Sequence, residues 1–241
     1  MVNAIVLSGD CGENGNSKAL MKIASRFMVE YVINSLRDSK CINKIYIVGN
    51  DVIKKEVGQM VDGFVHSSGG ILDNIQNAIR YIGEDEVPCI ICTSDIPLVK
   101  GEAIKDFIQS CQERNLEFGY PIIDKRLNDL KYPEVKRTYV KMKDGTYTGG
   151  NIVYVKPWIV KAFGEKASIM IENRKNPFKM GRVLGFKLLA MLILGRVSVE
   201  MVERRIGTDF NIRCGAIRTE YPEIGNDVDK PSDVEFVMKH I

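Results

Sequence analysis

The sequence predicts an α/β protein, a doubly wound three-layer α/β/α sandwich about a mostly parallel sheet, with an antiparallel part and a helical insert. Three observations predict it. Apolar runs without alternation recur at Asn3–Ser8, Lys44–Gly49 and Pro88–Ser94, as in strands buried on both faces. Helix-period segments lie between them, and such alternation implies parallel strands with covering helices. After Glu117 the segments alternate apolar with polar residues, which points to an antiparallel insertion or edge.

Taken in order, Asn3–Ser8 is the first strand, and a glycine-rich polar loop, Gly9–Ser17, follows it. The stretch Lys18–Ile23 has no clear period. Ser25 is the expected N-cap of a helix whose apolar face includes Met28, Tyr31, Val32 and Leu36. Lys44–Gly49 is a second buried strand and Gly63–His66 a short third one. Ser67-Ser-Gly-Gly70 then turns into a helix through Ile71, Ile75, Ala78, Ile79 and Ile82. Pro88–Ser94 is another buried strand, ending at Asp95-Ile-Pro97, and a helix covers about 102–114. Tyr139–Met142 and Asn151–Val155 read as the antiparallel part. Residues 165–207 read as mostly helical, Ile212–Ile217 as a strand, and Pro231 as the first turn of a last helix.

At 241 residues the chain fits one large domain or at most two small ones; it is read as one domain, 1–241, with a helical insert at about 156–209. Hydrophobic residues at 45% and charged residues at 27% exclude a disordered chain, a collagen and a coiled coil. A net charge of +3 gives no sign of a nucleic-acid binder. Charge is uneven, however. Residues 156–218 carry 13 Lys and Arg against 5 Asp and Glu, which suits an anionic partner or a solvated helical surface. Six scattered cysteines and no signal-peptide pattern suggest a cytoplasmic protein with reduced thiols. The apolar run Leu188–Leu194 is far short of the roughly 20 residues that a spanning helix needs. It suits a buried or interfacial helix, or a homodimer contact through 180–207.

Ligands of doubly wound sheets sit beyond the carboxyl ends of the strands, and four groups of residues there could carry chemistry. Ser8-Gly-Asp-Cys-Gly-Glu-Asn-Gly-Asn-Ser-Lys18 could cradle phosphates, with Lys18 as a point charge, though it lacks the Gly-Lys-Ser/Thr ending of a Walker loop. Asp95, past a hydrophobic strand, could hold Mg²⁺ against a phosphate or simply cap a helix. Asp227-Val-Asp229 places two carboxylates on one side of an extended segment; they could complete a metal site with Asp95 or start the last helix. Thr148-Gly-Gly-Asn151 allows close chain approach around a polar amide, or is a hairpin turn. Cys89 and Cys92 form a C-x-x-C within a strand, where a spacing of three puts their side chains on opposite faces, which argues against a shared metal. The two histidines, His66 and His240, are too few for a histidine metal site.

The order of these features carries more than any one of them. A buried first strand leads to a glycine loop ending in Lys18-Ala-Leu, followed by Ser94-Asp-Ile-Pro-Leu98, Gly149-Gly-Asn151 and Asp227-Val-Asp-Lys-Pro-Ser-Asp233. This resembles the MobA-like nucleotidyltransferases of the GT-A fold over about 1–155 and 210–241. The resemblance implies a Rossmann-like nucleotide-binding sheet and Mg²⁺-dependent transfer of a nucleoside monophosphate from a nucleoside triphosphate to a phosphorylated small-molecule acceptor. By the same resemblance Leu7, Ser8, Gly9 and Lys18 form the phosphate loop, with Lys18 and Asp95 catalytic. Asp95 is the metal aspartate, and Asp227 or Asp229, with Asp229 preferred, fills the second metal position. Ser68, Gly69 and Gly70 stand where the base is read, Asn74 is a further nucleotide-binding residue, and Gly150 and Asn151 are on the acceptor side. The family loop usually reads Leu-Ala-Gly-Gly with a later arginine; here Leu7-Ser-Gly-Asp10 stands and no arginine precedes Lys18. Lys22 is the candidate to replace it. Two other activities fit the same fold: a GT-A glycosyltransferase, which would usually carry Asp-x-Asp where Ser94-Asp95-Ile96 stands, and a nucleotide-binding protein without catalysis.

Overall fold

A computed structural model of the chain describes residues 1–9, 17–164, 190–191 and 193–241. Its first strand, β1 (Val2–Leu7), lies in the middle of a sheet in the order β5-β4-β1-β6-β10-β7-β9-β8, with β11 beside β7. The parallel half comprises β1, β4 (Ile42–Gly49), β5 (Gly63–His66) and β6 (Cys89–Thr93). β10 (Ile152–Val155) runs antiparallel between β6 and β7 (Phe118–Asp124). β9 (Gly145–Gly149) pairs antiparallel with β7 and with β8 (Val140–Met142), while β11 (Cys214–Arg218) returns parallel to β7. Two-residue strands β2 (Lys22–Ile23) and β3 (Arg26–Phe27) form a separate hairpin.

Helices cover both faces because the buried strands are apolar on both. Val2, Ala4 and Val6 of β1 face α1 (Met28–Asp38) and α4 (Gly101–Glu113), contacting the cluster of Val29, Val32, Ile104 and Phe107. Ile5, between them in sequence, faces the other side with Ile75, Ala78 and Ile79 of α3 (Ile71–Ile82). This is the period-2 alternation of an extended chain, used twice. Cys92 belongs to the first cluster and Cys89 to the second, so the C-x-x-C is split by the sheet. Burial pushes both thiols up to about 12.

Several elements differ from the sequence reading. Ser25 is not the cap of α1: the chain first makes the β2–β3 hairpin, and Glu30 Oε1 accepts from the Phe27 amide at 3.0 Å to close the helix start. The chain after Glu117 holds β7 and the short helix α5 (Lys125–Lys131), neither of which the apolar pattern marks, because Gly119 and Pro121 interrupt the β7 run. Tyr139 and Asn151 precede β8 and β10 rather than begin them, and Ile212 precedes β11. β9 and β10 are not hairpin partners; β7 lies between them, so Gly150–Asn151 crosses its end. Within 165–207 the described residues include α6 (Val199–Phe210). Most of that segment lies outside the described residues, as do the loop 10–16, residues 188, 189 and 192 of the apolar run Leu188–Leu194 and much of the expected dimer contact. The last helix, α7 (Pro231–Met238), begins at Pro231 as expected. Among the described residues no helix is long and apolar enough to cross a membrane.

Candidate active site

The site is built where β1 and β6 end. β6 stops at Thr93, and the chain turns through Ser94 with its amide on Leu7 O at 3.1 Å, which brings Asp95 beside the end of β1. Asp95 is not a helix cap, since α4 begins six residues later behind Lys100. The backbone carbonyl of Asp95 accepts from the Val228 amide at 2.9 Å, tying the segment 226–229 against it. Val228 is fully buried, so its neighbours Asp227 and Asp229 turn back toward Asp95. Asp233 fixes the other end: one of its oxygens accepts from the amides of Asp229 and Lys230, both at 2.8 Å, and caps α7.

Oxygen atoms of Asp95, Asp227 and Asp229 consequently lie within 4.8 Å of one another. Such like charges repel unless cations compensate, and among the described residues Lys18 and Arg137 do so. Lys18 Nζ lies 3.1 Å from Asp95 Oδ2 and 2.9 Å from Asp229 Oδ1. Arg137 Nη1 lies 2.9 Å from Asp227 Oδ1, with further donors on Thr148 Oγ1 at 3.4 Å and Gly149 O at 3.3 Å. Burial disfavours the Lys18 ammonium, but the hydrogen bonds and charges of Asp229 and Asp95 outweigh it and raise its pKa. For Asp227, burial raises the pKa, Arg137 lowers it, and the charges of Asp95 and Asp229 raise it again; the result lies above the ordinary carboxylate value.

Arg137 has no counterpart in the sequence reading. It sits in the connection between α5 and β8, in no motif, and meets a carboxylate 90 positions away.

Other expected residues are placed as follows. Ser8 gives both its amide and its hydroxyl to Val48 O, at 2.9 and 2.7 Å, and its own carbonyl accepts from Ser17 Oγ at 3.2 Å, so it pins both ends of the loop. Leu7 ends β1, and Gly9 approaches Ser67 and Asn74 closely enough that an added Cβ would lie 3.1 Å from Ser67 Cβ. The Asn74 carboxamide oxygen accepts from the Ser68 amide at 2.7 Å, and Gly69 takes a positive φ of 68°, a left-handed conformation that glycine adopts without steric cost. The segment Ser68–Gly70 and Asn74 thus stand beside the start of the glycine loop. Asn151 binds the 222–226 turn through its amide to Ile224 O at 2.9 Å and its side chain to Gly225 O at 3.3 Å. A Cβ on Gly150 would lie 2.7 Å from Ile224 Cγ2 and 2.9 Å from Pro121 Cγ, so this crossing needs glycine. Buried Glu223, on Lys131 at 2.9 Å, anchors the same turn. Lys22 stands on β2 over the Phe27 ring, and His66 lies edge-on to Phe64 with Asp51 3.7 Å away.

Two buried oxygens at this point, Asp95 Oδ1 and Thr93 Oγ1, have no hydrogen-bond partner among the described residues. Carboxylate oxygens with spare coordination capacity, gathered from two segments, suit a hard divalent cation such as Mg²⁺.

A carboxylate cluster and a lysine at the carboxyl edge of a doubly wound sheet stand where such sheets take their ligands. The chain matches the MobA-like NTP transferase domain over residues 4–175, and it belongs to that family. It is a nucleotidyltransferase with the family's Rossmann-like fold. Among solved structures it is similar to a hypothetical transferase from Thermus thermophilus, at 29% identity and a TM-score of 0.86, covering 97% of this chain and 99% of that one. It shares its fold with 4-diphosphocytidyl-2C-methyl-D-erythritol synthase from Anaerococcus prevotii (10% identity, TM-score 0.64, 99% of this chain and 95% of that one). It shares it also with a CMP:2-keto-3-deoxy-manno-octonic acid synthetase complexed with CTP (12% identity, TM-score 0.61, 98% and 97%).

Proposed function

We propose that the chain, acting as one domain with 156–209 as an insert, transfers a nucleoside monophosphate from a nucleoside triphosphate to a phosphorylated small molecule. The observation that supports this is the convergence of Asp95, Asp227, Asp229 and Lys18 at the end of β1. The triphosphate lies across the strand ends with its phosphates toward Lys18 and Gly9. Ser68, Gly69, Gly70 and Asn74 flank its base, and Gly150 and Asn151 line the acceptor side. Asp95 and Asp229, with Asp227 beside them, would hold Mg²⁺, which when bound neutralises phosphate charge. An acceptor phosphate oxygen attacks the α-phosphorus, the bond from the α-phosphorus to the bridging oxygen breaks, and pyrophosphate departs with that electron pair. Such a reaction asks for alignment and charge compensation rather than a protein base, because the acceptor phosphate is already anionic. Lys18 supplies a cation toward the departing phosphates, and Arg137 holds Asp227 in place. The five described cysteines are free thiols, which suits the reducing cytoplasm.

The test is a screen of the four common nucleoside triphosphates against phosphorylated alcohols and sugars, read as pyrophosphate release. Release that depends on acceptor and on Mg²⁺ supports the transfer. Nucleotide binding without release would make the chain a non-catalytic binder, and cleavage of nucleotide-sugars would make it a glycosyltransferase.

A further inference from the structure

Lys18 does more in this structure than wait for phosphate. Its ammonium group sits between Asp95 and Asp229, 3.1 and 2.9 Å from one oxygen of each. These carboxylates belong to different segments, and both lie in the cluster suited to a divalent cation. The third carboxylate, Asp227, is held by Arg137. Among the described residues the lysine is the cation paired with both, and it reaches them from a different segment, past the glycine loop.

We infer that Lys18 is a resident substitute for the metal, exchanged for it only when nucleotide phosphates arrive to draw the ammonium away. The inference rests on the nucleotidyltransferase reading of this site and adds to it the order of events. With Lys18 in the bridge, a free divalent cation must displace a positive charge from the two oxygens it needs. It must also leave that positive charge close beside its own. A metal–nucleotide complex would bring both halves of the exchange: Asp95 and Asp229 would hold the metal, and Lys18 would turn to the phosphates. The chain then takes up metal as a nucleotide complex rather than metal first. Asp95 Oδ1, buried and without a partner among the described residues, is the oxygen that Lys18 leaves unfilled.

The inference predicts opposite signs for two affinities in one variant. Lys18→Gln should bind manganese(II) alone about tenfold or more tightly than the wild-type chain, a change worth about 1.4 kcal/mol, measured by electron paramagnetic resonance of free Mn²⁺. The same variant should bind Mn²⁺–nucleoside triphosphate more weakly. Lys18→Arg, which keeps a cation in reach of both carboxylates, should bind Mn²⁺ alone as the wild type does. Asp95→Asn added to Lys18→Gln should remove the gain, which ties it to this site. Far-ultraviolet circular dichroism checks that each variant is folded, and Lys18→Met serves in place of Lys18→Gln if that variant is not. Mn²⁺ bound no more tightly by the folded variant, while the wild type still binds Mn²⁺–nucleotide, overturns the exchange and leaves the transferase reading standing. A wild-type chain that binds no nucleotide with any divalent metal overturns the transferase reading, and the exchange with it.

Discussion

Replacing Arg137 by alanine strips from Asp227 the cation that pairs with it, beside two further carboxylates. The Arg137 side chain is 14% exposed and that of Asp227 28%, so the pair lies between two known limits. Exposed ion pairs contribute about 0–1 kcal/mol, and breaking a fully buried one costs about 3–5 kcal/mol. A cost of about 2 kcal/mol is expected near neutral pH. For a chain of 241 residues that corresponds to a fall in Tm of about 4–8 °C. The pH dependence distinguishes this cause from simple loss of packing. The pKa of Asp227 is raised in the folded chain, chiefly by burial. The folded state therefore binds this proton more tightly than the unfolded state. Stability from this group is greatest at low pH and declines as pH rises from the ordinary aspartate value of about 4 through the folded value. Removing Arg137 deletes the cause that lowers the folded value, so the decline lengthens. Urea unfolding followed by circular dichroism at about pH 5 and about pH 7.5 should show a larger deficit for Arg137→Ala at the higher pH. An equal deficit at both would refute the charge argument.

Gly150→Ala should destabilise the chain by about 1–3 kcal/mol, because its methyl group meets Ile224 and Pro121 at 2.7 and 2.9 Å; thermal unfolding measures it, and a change under 0.5 kcal/mol counts against the tight crossing. Asp233→Ala should cost about 1 kcal/mol through the lost α7 cap and, because its oxygen also fixes the Asp229 amide, should raise the KM for metal–nucleotide. A KM equal to the wild-type value would separate Asp233 from the site. Cys89, Cys92 and Cys111 are buried, with thiols pushed up to about 12. They should resist iodoacetamide at neutral pH until the chain is unfolded, as read by mass spectrometry of tryptic peptides; rapid native labelling would contradict that burial.

The parallel half of the sheet was legible because its strands need apolar residues on both faces, and Val2–Leu7, Ile42–Gly49 and Cys89–Thr93 have them. β7 was not, because Phe-Gly-Tyr-Pro-Ile-Ile-Asp mixes strand residues with glycine and proline; its pairing on both sides by β9, β10 and β11 is set by long-range contacts. Ser25 looked like a cap because serine caps helices in general, whereas the hairpin before α1 depends on two-residue pairing that leaves no periodic trace. In the candidate site, Asp95 was readable from its place after a strand, and Asp227 and Asp229 from their spacing along an extended segment. Lys18 was readable as a loop end but not as their bridge. Arg137 left no local signal at all, since its role arises from a contact across 90 positions.

Calorimetric titration of the chain with a nucleoside triphosphate, in Mg²⁺ and again in excess chelator, puts the convergence at the end of β1 to its most direct test. Metal-dependent binding to the wild type, lost in a folded Asp95→Asn variant, is the expected result. Binding that ignores both the metal and the substitution would contradict the assignment of Asp95, Asp227 and Asp229 to the nucleotide site.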